Sequence, residues 1–247
     1  MGKTTRVLIP NAITLANCFC GFFALISLYE GQVERAAWSI LLAGLFDLLD
    51  GRVARLIRGT SEFGEQFDTL SDLLSFGVAP GLLAYVASLK GLGSIGWLPG
   101  FLFTTAVAVR LARFSLDRRL RPGFFEGLSS PVGAVTFAAY ILFVSRENVV
   151  SEAGHAWLLP LVVLLSILMV STLKYPSFKN VRWKSGAGQT LLALGLLALV
   201  LIALNPRTYL FIFGALFIGS ALGFNLICLV RGKSLEAPPL GESEFNS

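Results

Sequence analysis

The amino-acid sequence predicts an all-α protein: a polytopic membrane helix bundle of about eight transmembrane helices. Three observations carry the prediction. Of the 247 residues, 55% are apolar and only 14% charged, with a mean hydropathy of +0.73; soluble domains sit near a quarter charged. The apolar residues are gathered into runs of roughly membrane-crossing length. The basic residues fall between those runs with a strong bias to one side.

The runs lie at roughly 11–29, 35–57, 67–89, 97–115, 130–147, 155–173, 188–204 and 208–230. Each approaches the ~20 residues that cross a ~30 Å hydrocarbon core. The first follows Lys3 and Arg6. It is long enough to span, and no small-residue cleavage site follows it, so it reads as a retained helix and not as a signal peptide. Residues 1–9 read as a short interfacial segment, apolar at Val7, Leu8 and Ile9 and basic elsewhere. The second and third runs are interrupted by charge near one end. The expected organisation is one membrane domain over 1–231, then a disordered cytoplasmic tail over 232–247, where Pro238, Pro239 and polar residues cluster.

Eight crossings sort the Lys and Arg residues unevenly. One side receives Lys3, Arg6, Arg52, Arg55, Arg58, Arg110, Arg113, Arg118, Arg119, Arg121, Lys174, Lys179, Arg182, Lys184, Arg231 and Lys233. The other receives only Arg35, Lys90, Arg146 and Arg207. The positive-inside rule then places both termini, and the acidic end of the second span, in the cytoplasm. An odd number of spans would scramble the asymmetry. The net charge of +5 therefore calls for no nucleic-acid partner, and no nucleic-acid-binding motif is present. Cys18, Cys20 and Cys228 lie inside apolar runs without zinc or disulfide spacing, as small buried hydrophobes do.

The chemistry concentrates in Asp47-Leu48-Leu49-Asp50-Gly51-Arg52-Val53-Ala54-Arg55 and Gly64-Glu65-Gln66-Phe67-Asp68-Thr69-Leu70-Ser71-Asp72. On one helix Asp47, Asp50, Gly51 and Ala54 share a face; on the next, Gly64, Asp68 and Asp72 form a column. Two antiparallel helices joined by a turn near Gly59 bring both acidic columns to the cytoplasmic boundary. Charge within a membrane helix is costly, so function is its default explanation. Four carboxylates so close repel one another, and divalent cations relieve that repulsion. Hard oxygen ligands without nearby His or Cys point to Mg²⁺, Mn²⁺ or Ca²⁺ and away from zinc. Two such ions suit phosphoryl transfer. Gly51, Ala54 and Gly64 allow either close helix contact or the approach of a nucleotide to backbone.

At these residues the chain resembles the CDP-alcohol phosphotransferases. Their signature, D-x-x-D-G-x-x-A-R-x8-G-x3-D-x3-D, is met at every defining position. The resemblance implies that family's membrane fold and the transfer of a phosphatidyl group from CDP-diacylglycerol, or a phospho-alcohol from its CDP ester, with release of CMP. It implies that Asp47 and Asp68 each touch two metal ions, that Asp50 completes one site and that Asp72 completes the other. Asp72 is also implied to be the base, and Gly51, Arg55 and Gly64 to meet the CDP moiety.

Further pieces resemble the phosphatidylserine synthase branch: Pro10-Asn11-x-x-Thr14 with Cys20-Gly21, Ser75-Phe76-Gly77-Val78-Ala79-Pro80, Arg110-Leu111-Ala112-Arg113-Phe114, and Tyr175-Pro176-Ser177-Phe178-Lys179. Two pieces depart from that branch: Ser115 stands where Asn is usual, and Gly127-Leu128-Ser129-Ser130-Pro131 replaces Gly-Leu-Pro-x-Pro. Serine carries a carboxylate, which suits the planar fork of Arg110 or Arg113. The competing reading of that Arg pair is positive-inside anchoring at lipid headgroups. Asn11 and Thr14 either contact nucleotide or cap the first helix.

The expected substrates are thus CDP-diacylglycerol and L-serine, within membrane lipid. The alternatives are a glycerol phosphate or inositol phosphate acceptor or, in another class, a cation transporter, since intramembrane acids also mark ion pathways. His155, on the expected outer side, reads as a solvated residue. Gly219-x-x-x-Gly223 reads as a helix-packing pair, within the chain or across a homodimer.

Overall fold

A computed structural model describes residues 3–57, 61–87, 89–120, 127–146, 157–171, 173, 195 and 197–230. Among these residues the chain is helical with no strands. In order it forms α1 (Lys3–Tyr29), α2 (Val33–Ile57), α3 (Glu62–Leu73), a π-helical turn (Leu74–Val78), α4 (Ala79–Ala87), a 3₁₀ segment (Leu89–Ile95), α5 (Leu98–Leu120), α6 (Ser130–Arg146), α7 (Leu158–Val170) and α8 (Pro206–Val230). Residues 197–204 are helical as well, so each of the eight apolar runs contains helix. Leu8–Tyr29, Glu62–Ala87 and Gly93–Leu116 are long and apolar enough to cross a bilayer; Ser130–Ser145 and Leu158–Val170 are shorter apolar helices. This is a helical membrane fold. The turn near Gly59, His155, the 175–179 piece and the 232–247 tail lie outside the described residues.

Two details differ from a plain count of apolar runs. The first helix starts at Lys3 and passes through Pro10, so residues 3–9 are helical and continuous with the candidate span Leu8–Tyr29. The third run is one helical rod with a widened turn inside it. That π turn ends two residues before Pro80, whose ring has no N–H to donate and would crowd the carbonyl four residues earlier in a regular α-helix. Widening the preceding turn lets the rod continue.

Helices α1 and α2 pack as an antiparallel pair through small side chains: Ala24, Ala36, Ala37 and Ala43 are all fully buried. Small residues substitute for a hydrophobic driving force in lipid, because they let backbones approach. The same device sets the register of α4 against α5. A Cβ on Gly81 would lie 2.6 Å from the Gly100 carbonyl oxygen, and one on Gly77 would lie 3.3 Å from Val107. The Thr104 hydroxyl seals the contact, 3.1 Å from the Gly77 carbonyl and 3.0 Å from that of Gly100. The two rods run antiparallel, so this register carries Arg110, one turn beyond Val107, toward the acidic end of α3. On the far side α8 packs against α6, with Phe211 between Tyr140 and Phe143. Cβ atoms on Gly219 or Gly223 would meet no described atom within 4 Å, so this pair does not mediate packing among the described residues.

Candidate active site

Three helices supply the acidic site. From α2 comes Asp47 and from α3 come Asp68 and Asp72, whose carboxylate oxygens lie within 4.8 Å of one another. Ser61 starts α3 in extended conformation (φ −132°, ψ 150°), and its hydroxyl accepts the Gly64 amide at 3.0 Å. With the helix phase set there, Asp68 and Asp72 fall one turn apart on one face. Asp72 is buried.

The third helix is α1, which contributes a polar stripe at three-residue spacing: Asn11, Thr14 and Asn17. The Asn17 side-chain amide donates to Asp72 Oδ1 at 3.0 Å. The Thr14 hydroxyl meets Asp50 Oδ2 and also lies 3.1 Å from the Pro10 carbonyl. A Cβ on Gly64 would lie 2.8 Å from Asn11 Oδ1, so Gly64 is a point of close approach between α3 and α1. Asn11 and Thr14 lie inside α1, and neither caps its start. Asn17 and Ser75 have no solvent exposure, and the Ser75 hydroxyl donates to the Asn17 carbonyl at 3.0 Å. The π turn is thereby pinned to α1 directly after Asp72.

The four signature aspartates are therefore not equivalent. Asp47, Asp68 and Asp72 converge, whereas Asp50, one turn along α2, is buried and engaged by Thr14. The donor set is wholly oxygen, which fits hard divalent cations such as Mg²⁺ or Mn²⁺. Gly51 is exposed, and a Cβ there would meet nothing within 4 Å. No described atom packs against that face of Gly51, so close helix contact among the described residues does not account for the glycine. The side chain of Arg55 lies outside what is described.

A cavity of about 530 Å³ opens beside the cluster. Asp47, Glu65, Gln66, Asp68, Thr69 and Asp72 form one part of its wall, and Arg110, Leu111, Phe114, Ser115, Ser129, Ser130 and Pro131 the rest. Arg110 donates through Nη1 to the Ser130 hydroxyl at 2.9 Å, lies 6.0 Å from the centre of the Phe114 ring, and interacts electrostatically with Asp72 and Asp47. Arg113 is exposed and is not among the lining residues. The structure thus separates two arginines that the sequence treated as a pair.

Sequence reasoning passed over Asn17 and did not give Ser130 a role. The signal for Asn17 was present: it continues Asn11 and Thr14 at i+3 in an otherwise apolar span, where polar side chains are expensive. Ser130 had no such local signal, because its partner is twenty residues away on another helix.

The family model described as CDP-alcohol phosphatidyltransferase matches residues 7–168. A CDP-diacylglycerol--serine O-phosphatidyltransferase of Helicobacter pylori is 35% identical over 212 residues, covering 85% of this chain and 88% of its own. One from Bacillus subtilis is 32% identical over 172 residues, 70% of this chain and 92% of its own. An archaetidylserine synthase of Methanothermobacter thermautotrophicus is 35% identical over 180 residues, 70% of this chain and 71% of its own.

Proposed function

The chain belongs to the CDP-alcohol phosphatidyltransferase family, and we propose that it transfers the phosphatidyl group of CDP-diacylglycerol to L-serine, giving phosphatidylserine and CMP. The observation that carries this reading is the cavity's charge pattern. Arg110 is the basic residue among the described lining residues, facing Asp47, Glu65, Asp68 and Asp72. One guanidinium suits the single carboxylate of an amino acid. A glycerol phosphate or inositol phosphate acceptor brings more negative charge and calls for a more basic pocket. The names of the relatives point the same way.

In this reading Asp47, Asp50, Asp68 and Asp72 hold two divalent ions, Mg²⁺ or Mn²⁺. Such ions, when bound, offset the negative charge of the pyrophosphate and of the departing CMP. Asn11, Thr14, Gly51, Arg55 and Gly64 form the nucleotide side. The exposure of Gly51, with no described atom within 4 Å of where a Cβ would stand, supports that role. Arg110 holds the serine carboxylate and orients the hydroxyl toward Asp72. Asp72 takes the hydroxyl proton as the serine oxygen bonds to the phosphorus carrying diacylglycerol. The bond from that phosphorus to the CMP oxygen breaks. Leu111, Phe114 and Pro131 give the cavity an apolar border that limits competing hydrolysis. The acyl chains stay in the inner leaflet, with the site and both termini cytoplasmic, a reading that the Lys and Arg asymmetry supports.

The test is thin-layer lipid analysis after incubation with CDP-diacylglycerol, labelled serine and Mg²⁺ or Mn²⁺. Labelled phosphatidylserine, formed with equimolar CMP, is the expected result. No CMP release with serine, alongside release with another alcohol, would overturn the assignment of the acceptor.

A further inference from the structure

We propose that Ser130 is a positioning residue for the acceptor: its hydroxyl holds the Arg110 guanidinium in the orientation that receives the acceptor's carboxylate. The inference rests on the reading of Arg110 given above. Ser130 has no solvent exposure, and its Oγ accepts from Arg110 Nη1 at 2.9 Å. The remaining guanidinium donors are left for other partners, and Nε is buried without a hydrogen-bond partner among the described atoms. A guanidinium placed near Asp47 and Asp72 is drawn toward them. A neutral acceptor on a different helix opposes that pull without adding charge to the cavity. It keeps the fork from collapsing onto the acids.

The backbone is built to put Ser130 there. Gly127 adopts φ +77°, a conformation open to glycine and strained for other residues. Its amide donates to the Leu173 carbonyl at 3.0 Å, and that of Leu128 donates to the Leu168 carbonyl at 3.0 Å. A Cβ on Gly127 would lie 2.7 Å from the Met169 carbonyl oxygen. The segment before α6 is thus clamped to the end of α7, and Leu128 is fully buried. The clamp delivers Ser129 and Ser130 to the cavity wall as a fixed edge. Ser129 is the position of this segment at which the chain departs from Gly-Leu-Pro-x-Pro, and Ser130 stands at its variable position, so this departure lies in the acceptor wall and not in the acidic cluster.

The test is steady-state kinetics of Ser130→Ala and Ser130→Cys in detergent or nanodiscs, with thermal melting as a fold control. Both remove a strong hydroxyl acceptor but differ in volume. The expected result is a roughly ten-fold rise in KM for serine, as for loss of one charge-assisted hydrogen bond, with KM for CDP-diacylglycerol and kcat changed less than about two-fold. An unchanged serine KM overturns the proposal. So does a parallel loss in all three constants, or loss of fold in both variants, because either assigns Ser130 to packing. An acceptor panel on the unaltered chain separates the two layers. If a different anionic alcohol replaces serine, the serine reading fails, and Ser130→Ala must still raise that acceptor's KM for the positioning role to stand.

Discussion

The side-chain amide of Asn17 donates to the carboxylate of Asp72 at 3.0 Å from a position with no solvent exposure. This contact joins α1 to α3 across 55 residues of chain, and the Ser75 hydroxyl anchors the Asn17 carbonyl from the π turn. A carboxylate held in one orientation presents a defined oxygen to its substrate. Replacing Asn17 with Ala removes the donor and leaves a buried charged group without it, which costs roughly 1–3 kcal/mol. The expected outcome is a kcat lowered about ten-fold or more, with smaller changes in either KM, checked by continuous CMP release.

Asp72→Asn keeps the shape of the side chain and removes the capacity to take a proton. If Asp72 is the base, turnover falls by roughly 10²- to 10⁴-fold while the melting profile in detergent is retained. Ordinary activity in this variant would refute the assignment.

Metal removal separates the enzymatic reading from a purely structural use of the acids. Treatment with a chelator is expected to abolish CMP release, and Mg²⁺ or Mn²⁺ to restore it. Thr14→Val, which deletes the hydroxyl that meets Asp50 at nearly constant volume, is expected to raise the half-saturating metal concentration several-fold. An unchanged metal titration would place Asp50 outside the ion site.

Two glycines predict opposite phenotypes. Gly81→Leu forces a side chain against the Gly100 backbone, so the α4–α5 register is lost, with a stability cost of about 1–3 kcal/mol or more. Reduced melting temperature and activity should appear together. Gly51→Leu meets no described protein atom in its first bond outward. It should fold normally and show a raised KM for CDP-diacylglycerol, measured with serine saturating.

Much of this protein is legible in one dimension. A span must satisfy its own backbone hydrogen bonds within lipid, so apolar run length maps directly onto helices, and all eight runs contain helix. The acidic motif is legible for a related reason: charges in such helices are too costly to be incidental, and turn-by-turn spacing states which of them share a face. What local spacing cannot express is which faces meet. The π turn before Pro80, the closeness of Gly81 to Gly100, and the separate orientations of Arg110 and Arg113 depend on packing between rods.

By itself, then, the sequence determined a helical membrane chain with four aspartates on two adjacent helices, because helix periodicity and the cost of buried charge are local properties. Only the tertiary structure decided that Asp47, Asp68 and Asp72 converge while Asp50 turns to Thr14, that Asn17 reaches Asp72, and that Arg110 leans on Ser130. Each of these contacts is made between different helices, at separations of twenty to fifty-five residues. The close approach of small residues helps to set the register of those helices, and no window of neighbouring residues contains it.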